Sequence, residues 1–304
     1  MIGGVLKLHN PMGGLVWLAL FLPGNLLEGR LALVLPAAAV LLGAAILPTQ
    51  PSGWETRRPA RQAAMIFCFL ALLDLISYAY SLAFNGVRTG SADFFALSRP
   101  LYQGVFVVYL IRHYDASVRK SMEAALAGAL YVSLFLLSLG VSNWAIFGSP
   151  SFMGFLAFLW AIDCLFFSRA PLRLVHAVSS ILLVLLAAPS MMGNVHSSAA
   201  FPRGSPILGW GPASYEPMLS YGNQYVRWYL RNGVVGISVI LVAAGFVAFH
   251  LVRDRWDDRD RRAGAALFFC CLVVMLMIGP FLDDFRLFVL TAFLIAGMRK
   301  EASS

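Results

Sequence analysis

The sequence predicts an all-α integral membrane protein, a polytopic helix bundle of about ten transmembrane helices with one long external loop between the seventh and eighth. Hydrophobic residues make up 60% of the 304-residue chain, charged residues only 12%, and the mean hydropathy is +0.76. A soluble domain has roughly 25% charged residues, so this chain has too little polar surface to cover a water-soluble globule. The apolar residues also form long continuous runs, as membrane spans require.

Ten of these runs approach the length that crosses a bilayer. A crossing helix needs about 20 residues, and backbone groups in lipid must be hydrogen-bonded within the segment. The first run has Gly, Pro and Asn interruptions and no A-x-A site after it, so we interpret it as a retained span. The predicted spans are residues 11–27, 31–48, 63–84, 94–111, 122–140, 144–167, 174–192, 233–252, 263–281 and 285–298.

The basic residues of the connecting loops alternate between the two sides of the bundle. Loops on one side contain sixteen lysines and arginines, whereas the other side has only Arg30, Arg88 and Arg203. Because cytoplasmic loops carry an excess of Lys and Arg, the richer side is predicted to be cytoplasmic, together with both termini. The formal charge of +8 does not indicate nucleic-acid binding, since the basic residues form no single stripe.

Four cysteines lie within apolar runs, and we interpret them as small buried side chains: Cys68, Cys164, Cys270 and Cys271. The absence of a C-x-x-C pair argues against a disulfide framework or a structural metal. No cluster of His and Asp has metal-ligand spacing, so neither a metal nor a cofactor is predicted.

The one long external connection, residues 193–232, is rich in Gly, Pro, Ser and aromatic residues. Loops of this length are usually functional or disordered. The aromatic side chains argue against disorder and favour a folded element at the membrane interface. Its Trp and Tyr residues are Trp210, Tyr215, Tyr221, Tyr225, Trp228 and Tyr229.

Arginines collect at the predicted external surface, where the charge statistics of membrane proteins disfavour them. Arg227 and Arg231 are four residues apart and share one helix face, where like charges repel unless an anion lies between them. Arginine binds phosphate oxygens in bidentate fashion, so the sequence predicts an external site for a phosphate-bearing membrane molecule. The alternative is snorkelling with local ion pairs. The predicted set is Arg99, Arg227, Arg231 and Arg286, with Arg203 as a weaker fifth.

Few acids and bases share this side: Asp93, His196, Glu216, Asp283 and Asp284. Glu216 is the first choice of general base, because nearby arginines would hold it ionised and ready to accept a proton from a hydroxyl. His196 is the second choice, although a solvated surface histidine is the plainer interpretation.

Two further carboxylates fall inside predicted spans. Asp74 lies mid-span and has two interpretations: a functional intramembrane charge, or a hydrogen-bonding partner of Ser or Tyr on a neighbouring helix. Asp163 lies towards the cytoplasmic end of its span, where we expect a structural role.

Residues 204–236 read GSPILGWGPASYEPMLSYGNQYVRWYLRNGVVG. This segment resembles the large external loop of the bacterial O-antigen polymerase and ligase superfamily, the Wzy-type polymerases and their ligase relatives. Residues 206–211 match the family's p-l-G-x-G turn, residues 222–226 its H-N-x-y-l segment, and residues 232–236 its closing x-x-G-i-x-G. Gly222 stands where the family often has His, and the chain is shorter than the usual member.

The resemblance implies a glycosyltransferase that polymerises a glycan carried by undecaprenyl diphosphate, on the periplasmic face of the bacterial inner membrane. The diphosphate is then the leaving group and arginines stabilise its charge, while a base assists attack by an acceptor hydroxyl. Trp210, Tyr225 and Asn223 would stack on sugar or position the loop, and no metal is needed. The implied partners are the lipid-linked glycan, membrane lipid and a chain-length regulator or other polysaccharide assembly proteins, without nucleic acid.

Three alternatives remain open at the level of sequence. A ligase that moves finished polymer onto a lipid acceptor would share the loop and the chemistry. A flippase or transporter of the same lipid-linked sugar predicts charges at several depths and broken helices at the midplane. A non-catalytic membrane subunit of a polysaccharide secretion assembly is the third.

Overall fold

The computed structural model describes residues 54–84, 91–139, 150–168, 171–192, 206–209, 223–253, 259–279, 281–283 and 285–301. Within these ranges the regular structure consists of eight α-helices and one 3₁₀ turn, Phe281–Asp283. The helices are α1 (Trp54–Phe84), α2 (Ser91–His113), α3 (Ala116–Ser138), α4 (Pro150–Phe166), α5 (Arg173–Met192), α6 (Gln224–Arg253), α7 (Arg259–Ile278) and α8 (Phe285–Glu301).

The all-helical prediction is confirmed for this part of the chain, since a helix occupies each predicted span from residue 63 onward. Predicted spans 11–27 and 31–48 lie outside the described residues. Three stretches are long and apolar enough to cross a membrane: Pro59–Phe84, Gln224–Phe249 and Arg259–Ile278. Shorter apolar stretches lie in α4, α5 and α8. The chain is therefore a helical membrane protein.

The centre of the bundle is α4, which packs against α5, α7 and α8. Most of its side chains between Met153 and Cys164 are buried, including Phe155 and Leu159 at 0% exposure. A helix that is apolar all round is typical of a buried position. The Phe155 ring stacks on Phe281 with centroids 4.4 Å apart, which ties α4 to the 3₁₀ turn before α8.

At the side of the bundle, α1 packs against α2 and α6. It buries the polar residues Asp74, Ser77 and Ser81, whereas Leu72 and Leu75 on its outer face are exposed. Apolar residues outside and polar residues inside are typical of a helix whose outer face meets lipid. The inner face of α1 is therefore both polar and buried.

The thiols do not all follow the prediction of buried cysteines. Cys164 is buried and Cys271 is partly buried, but Cys68 and Cys270 are exposed, and all four are free. The prediction was wrong for the two exposed thiols, because they lie on the outer faces of α1 and α7.

A buried ionic network joins α3 to α4. The two terminal nitrogens of Arg119 donate to the two carboxylate oxygens of Asp163, and its Nε donates to Glu123 Oε1 at 3.0 Å. The Ser168 hydroxyl also donates to Glu123 Oε1, at 2.9 Å. Burial raises the pKa of the Tyr114 phenol, which lies beside this network. The ion pair confirms the structural role predicted for Asp163.

Replacing Asp163 by Asn should destabilise the protein strongly, because it leaves the buried Arg119 guanidinium without its main counter-charge. We expect a loss of about 3 kcal/mol in the free energy of unfolding, measured by thermal unfolding in detergent. The double variant Asp163→Leu/Arg119→Met should recover most of that loss. Exposed Asp260→Asn is the control and should change stability by less than about 0.5 kcal/mol. An Asp163→Asn protein as stable as wild type would contradict the prediction.

Candidate functional site

The helix α6 is interrupted near its N-terminal end. Gly233 has φ 61° and ψ −167°, which splits the helix into a short first segment, residues 224–232, and a longer second one. The first segment belongs to the stretch 193–232 that the sequence predicts as loop. It is helical because Asn223 caps it, with Oδ1 accepting from the amides of Tyr225 and Val226 at 2.8 and 3.3 Å.

Residues 206–209 of the long loop pack into this interruption. The amides of Val234 and Val235 donate to the carbonyls of Pro206 and Ile207 at 2.9 and 3.3 Å. In an unbroken helix these amides would bond to carbonyls four residues earlier, so the loop replaces the helical acceptors. The first and last parts of the 204–236 motif, which the sequence could only match separately, therefore meet in space.

Two glycines make this junction sterically possible. Gly209 and Gly233 have φ of 72° and 61°, in the left-handed region that glycine adopts without a Cβ clash. A Cβ on Gly209 would lie 2.7 Å from the Arg231 carbonyl oxygen, and a Cβ on Gly233 would overlap the Ile207 carbonyl. These contacts give a physical reason for a glycine in each half of the motif.

A buried ion pair lies beside the junction. Arg231 Nε donates to both carboxylate oxygens of Asp74 at 3.1 Å, and Arg231 Nη2 also donates to Asp74 Oδ2. Asp74 is 1% exposed and Arg231 7%. Three residues along α1, the Ser77 hydroxyl donates to the Leu208 carbonyl. The mid-span carboxylate therefore pairs with an arginine, a partner that neither interpretation of Asp74 had named.

Other polar side chains attach the first segment of α6 to the rest of the bundle. The fully buried Gln224 accepts a hydrogen bond from the Leu282 amide at 3.1 Å, next to the start of α8. The Tyr225 hydroxyl donates to the Val273 carbonyl of α7 at 2.9 Å, and its ring meets Trp228 edge to face. Asn223 therefore caps α6, and Tyr225 joins α6 to α7 by a hydrogen bond.

Sequence reasoning singled out neither Gln224 nor Ser77. The sequence does contain a pattern that predicts a polar role for Ser77, since Ser77 lies three residues after Asp74 and therefore on the same helix face. The pattern for Gln224 is weaker, because it is only a neutral polar residue in an aromatic segment that precedes a span.

The remaining arginines lie on α2, α6 and α8, of which α2 and α8 pack against each other. Arg99 of α2 is buried, at 7% exposure, and Arg227 is partly buried one turn before Arg231 on the same face of α6. The backbone of Arg286 lies in the first turn of α8, and its side chain is outside the described atoms. Predicted residues Glu216, His196, Arg203 and Trp210 lie outside the described residues.

Helix register places Arg99 and Arg286 at similar heights. Phe106 of α2 contacts Phe293 of α8 with ring centroids 5.7 Å apart, and each arginine precedes its phenylalanine by seven residues. Tyr114, the residue after the end of α2, lies beside Gly297 of α8, so the two helices run in the same direction. Seven residues are two helical turns, which puts both arginine backbones on matching faces about 10 Å from the ring pair.

The described residues contain no group of three or more His, Cys, Asp or Glu that could hold a metal ion. No family model, no curated protein and no solved structure matches the chain. Support for a function therefore comes from the loop motif and from the geometry around Gly233.

Replacing Gly233 or Gly209 by Ala should destabilise the junction, because each backbone is left-handed and each Cβ meets main-chain atoms. We expect a loss of about 2 kcal/mol or more for each, measured by thermal unfolding in detergent. Gly245→Ala is the matched control in α6, since a Cβ there meets nothing within 4 Å. It should be neutral or stabilise by up to about 1 kcal/mol. Equal stability of the Gly233→Ala and Gly245→Ala proteins would refute the proposed packing.

Proposed function

We propose that this chain is a bacterial inner-membrane glycosyltransferase that polymerises undecaprenyl-diphosphate-linked oligosaccharide units on the periplasmic face. The product would be an O-antigen, capsule or exopolysaccharide. The proposal includes about ten spans and cytoplasmic termini, from the loop charges. The observation that carries it is the union of the two glycine-containing motif parts, residues 206–209 and 232–236, at a broken helix that carries two of the predicted site arginines.

The break in α6 supports a polar substrate at this place. Non-helical backbone at membrane depth is tolerated where it is buried in protein or lines a water-filled cavity. A sugar diphosphate is strongly polar and needs such surroundings, whereas its isoprenoid chain needs lipid. The outer face of α1, with exposed Leu72 and Leu75, would provide apolar surroundings for the isoprenoid chain. The buried polar face of the same helix lies next to it.

The proposed reaction uses arginines as electrostatic catalysts. The bond between the anomeric carbon and a diphosphate oxygen breaks while the acceptor hydroxyl oxygen bonds to that carbon, and the hydroxyl proton passes to a base. Arg99, Arg227 and Arg286 would stabilise the diphosphate that leaves. Arg231 was predicted in the same set, but its guanidinium is already paired with Asp74. Glu216 remains the first candidate for the base and His196 the second.

A transporter of the same lipid-linked sugar is the second candidate, favoured by two observations. Transporters bind substrate at discontinuous helices, and α6 is discontinuous at Gly233. Buried charges also occur in two separate places, the Asp74–Arg231 pair and the Arg119–Asp163 pair. The polymerase is preferred because the motif of residues 204–236 resembles that of polymerases and ligases.

Alanine in place of Arg99, Arg227 or Arg286 should each reduce polymerisation about 100-fold or more, since each removes charge stabilisation of the leaving diphosphate. The measurement is the glycan ladder in a polymer-producing host at equal protein levels. Arg112→Ala, on the exposed end of α2, is the control and should give wild-type chain lengths. Wild-type ladders from all three site variants would rule out the diphosphate site.

Purified protein in liposomes should elongate a synthetic lipid-linked oligosaccharide if it is a polymerase. A transporter should instead move the oligosaccharide across the bilayer without chain growth, as read by protection from an added glycosidase. A gene deletion separates the ligase: loss of all but single repeats indicates a polymerase, whereas normal chains left on the lipid carrier indicate a ligase.

A further inference from the structure

Two arginines on one face of α6 have different surroundings. Arg231 directs its Nε and Nη2 edge at Asp74, and the pair is almost fully buried. Arg227, one turn earlier, is only partly buried. A buried guanidinium–carboxylate pair is neutral as a unit, and removing one partner is strongly unfavourable. The two arginines therefore differ in burial, although they lie on the same face of α6.

The pair also lies at the junction between the loop and the broken helix. The Arg231 carbonyl oxygen lies against Gly209, and Gly233 follows two residues later. On α1, Asp74 holds α6 while Ser77 on the same face holds the Leu208 carbonyl. One face of α1 thus bonds to both parts of the junction, the loop residue Leu208 and the helix residue Arg231. We call Asp74, Ser77 and Arg231 the α1 clamp.

We propose that the α1 clamp is a positioning device for the diphosphate site and that Arg231 does not itself touch the diphosphate. This inference rests on the proposed function. A helix broken at a glycine can bend there, so without the clamp the first segment of α6 would be held at its start, by Gln224 and Tyr225, and could tilt. Arg227 lies on that segment. The clamp fixes its place relative to α2 and α8, which carry Arg99 and Arg286.

The test is a double-mutant cycle on the purified full-length protein, with Asp74→Leu, Arg231→Met and the double variant. Two quantities are measured in each sample: the melting temperature in detergent, and the affinity for geranylgeranyl diphosphate. Each single variant should lower the melting temperature by roughly 6–10 °C. Each should also weaken binding about tenfold, because Arg227 is displaced.

The double variant should regain most of the melting temperature and bind within about threefold of wild type, since two apolar side chains replace a neutral buried pair. Arg227→Met is the matched comparison and should lose binding while melting near the wild-type temperature. Ser77→Ala leaves no charge unpaired and should weaken binding about threefold to tenfold, through the Leu208 carbonyl alone. It keeps the proposal testable if the single charge variants do not fold.

The outcomes separate the two levels of the proposal. A double variant that melts like wild type but does not bind would show that Arg231 contacts the diphosphate, which overturns the positioning role. Additive losses of melting temperature would show that Asp74 and Arg231 are not coupled, which overturns the clamp. A wild-type protein that does not bind geranylgeranyl diphosphate would instead overturn the proposed function, and the melting cycle would still decide whether the clamp exists.

Discussion

Backbone amides inside a membrane must find acceptors within the protein, and this requirement governs the organisation around α6. At Gly233 the helix cannot supply acceptors to Val234 and Val235, and the carbonyls of Pro206 and Ile207 take their place. At this point the loop therefore supplies the backbone acceptors that the helix lacks. Its position follows from hydrogen bonds that the membrane makes costly to lose.

Charge neutrality imposes a second constraint on the same bundle. Asp74 faces Arg231 on one side, and Asp163 with Glu123 faces Arg119 on another. The first pair joins α1 to α6, across 157 positions of the chain, and the second group joins the consecutive helices α3 and α4. Buried ion pairs add little net stability relative to apolar side chains, but they penalise any packing that separates the partners.

The functional proposal combines these constraints with the loop motif. A glycosyl transfer from a lipid diphosphate needs cationic side chains near the diphosphate that leaves. Arg227 on the first segment of α6 and the matched heights of Arg99 and Arg286 agree with that requirement. The broken helix agrees equally with transport, so the chemistry of the loop motif, and not the fold, separates the two candidates.

Local properties of the chain suffice to predict a helix in each span from residue 63 onward, because continuous apolarity and the need to bond the backbone internally act within each segment. They do not give the first segment of α6, residues 224–232, which lies in the predicted external loop. They also identify the glycines of residues 204–236 and mark Asp74 and Arg231 as unusual. They do not show that these two residues are partners, since 157 positions separate them and a sequence carries no direct record of which helices touch. The same holds for Gln224 with Leu282 and for Ser77 with Leu208. Helix formation depends on neighbours along the chain, whereas the choice of a counter-charge or of a carbonyl acceptor depends on how the helices pack. That packing places Arg231, a predicted ligand-binding residue, against the buried carboxylate of Asp74.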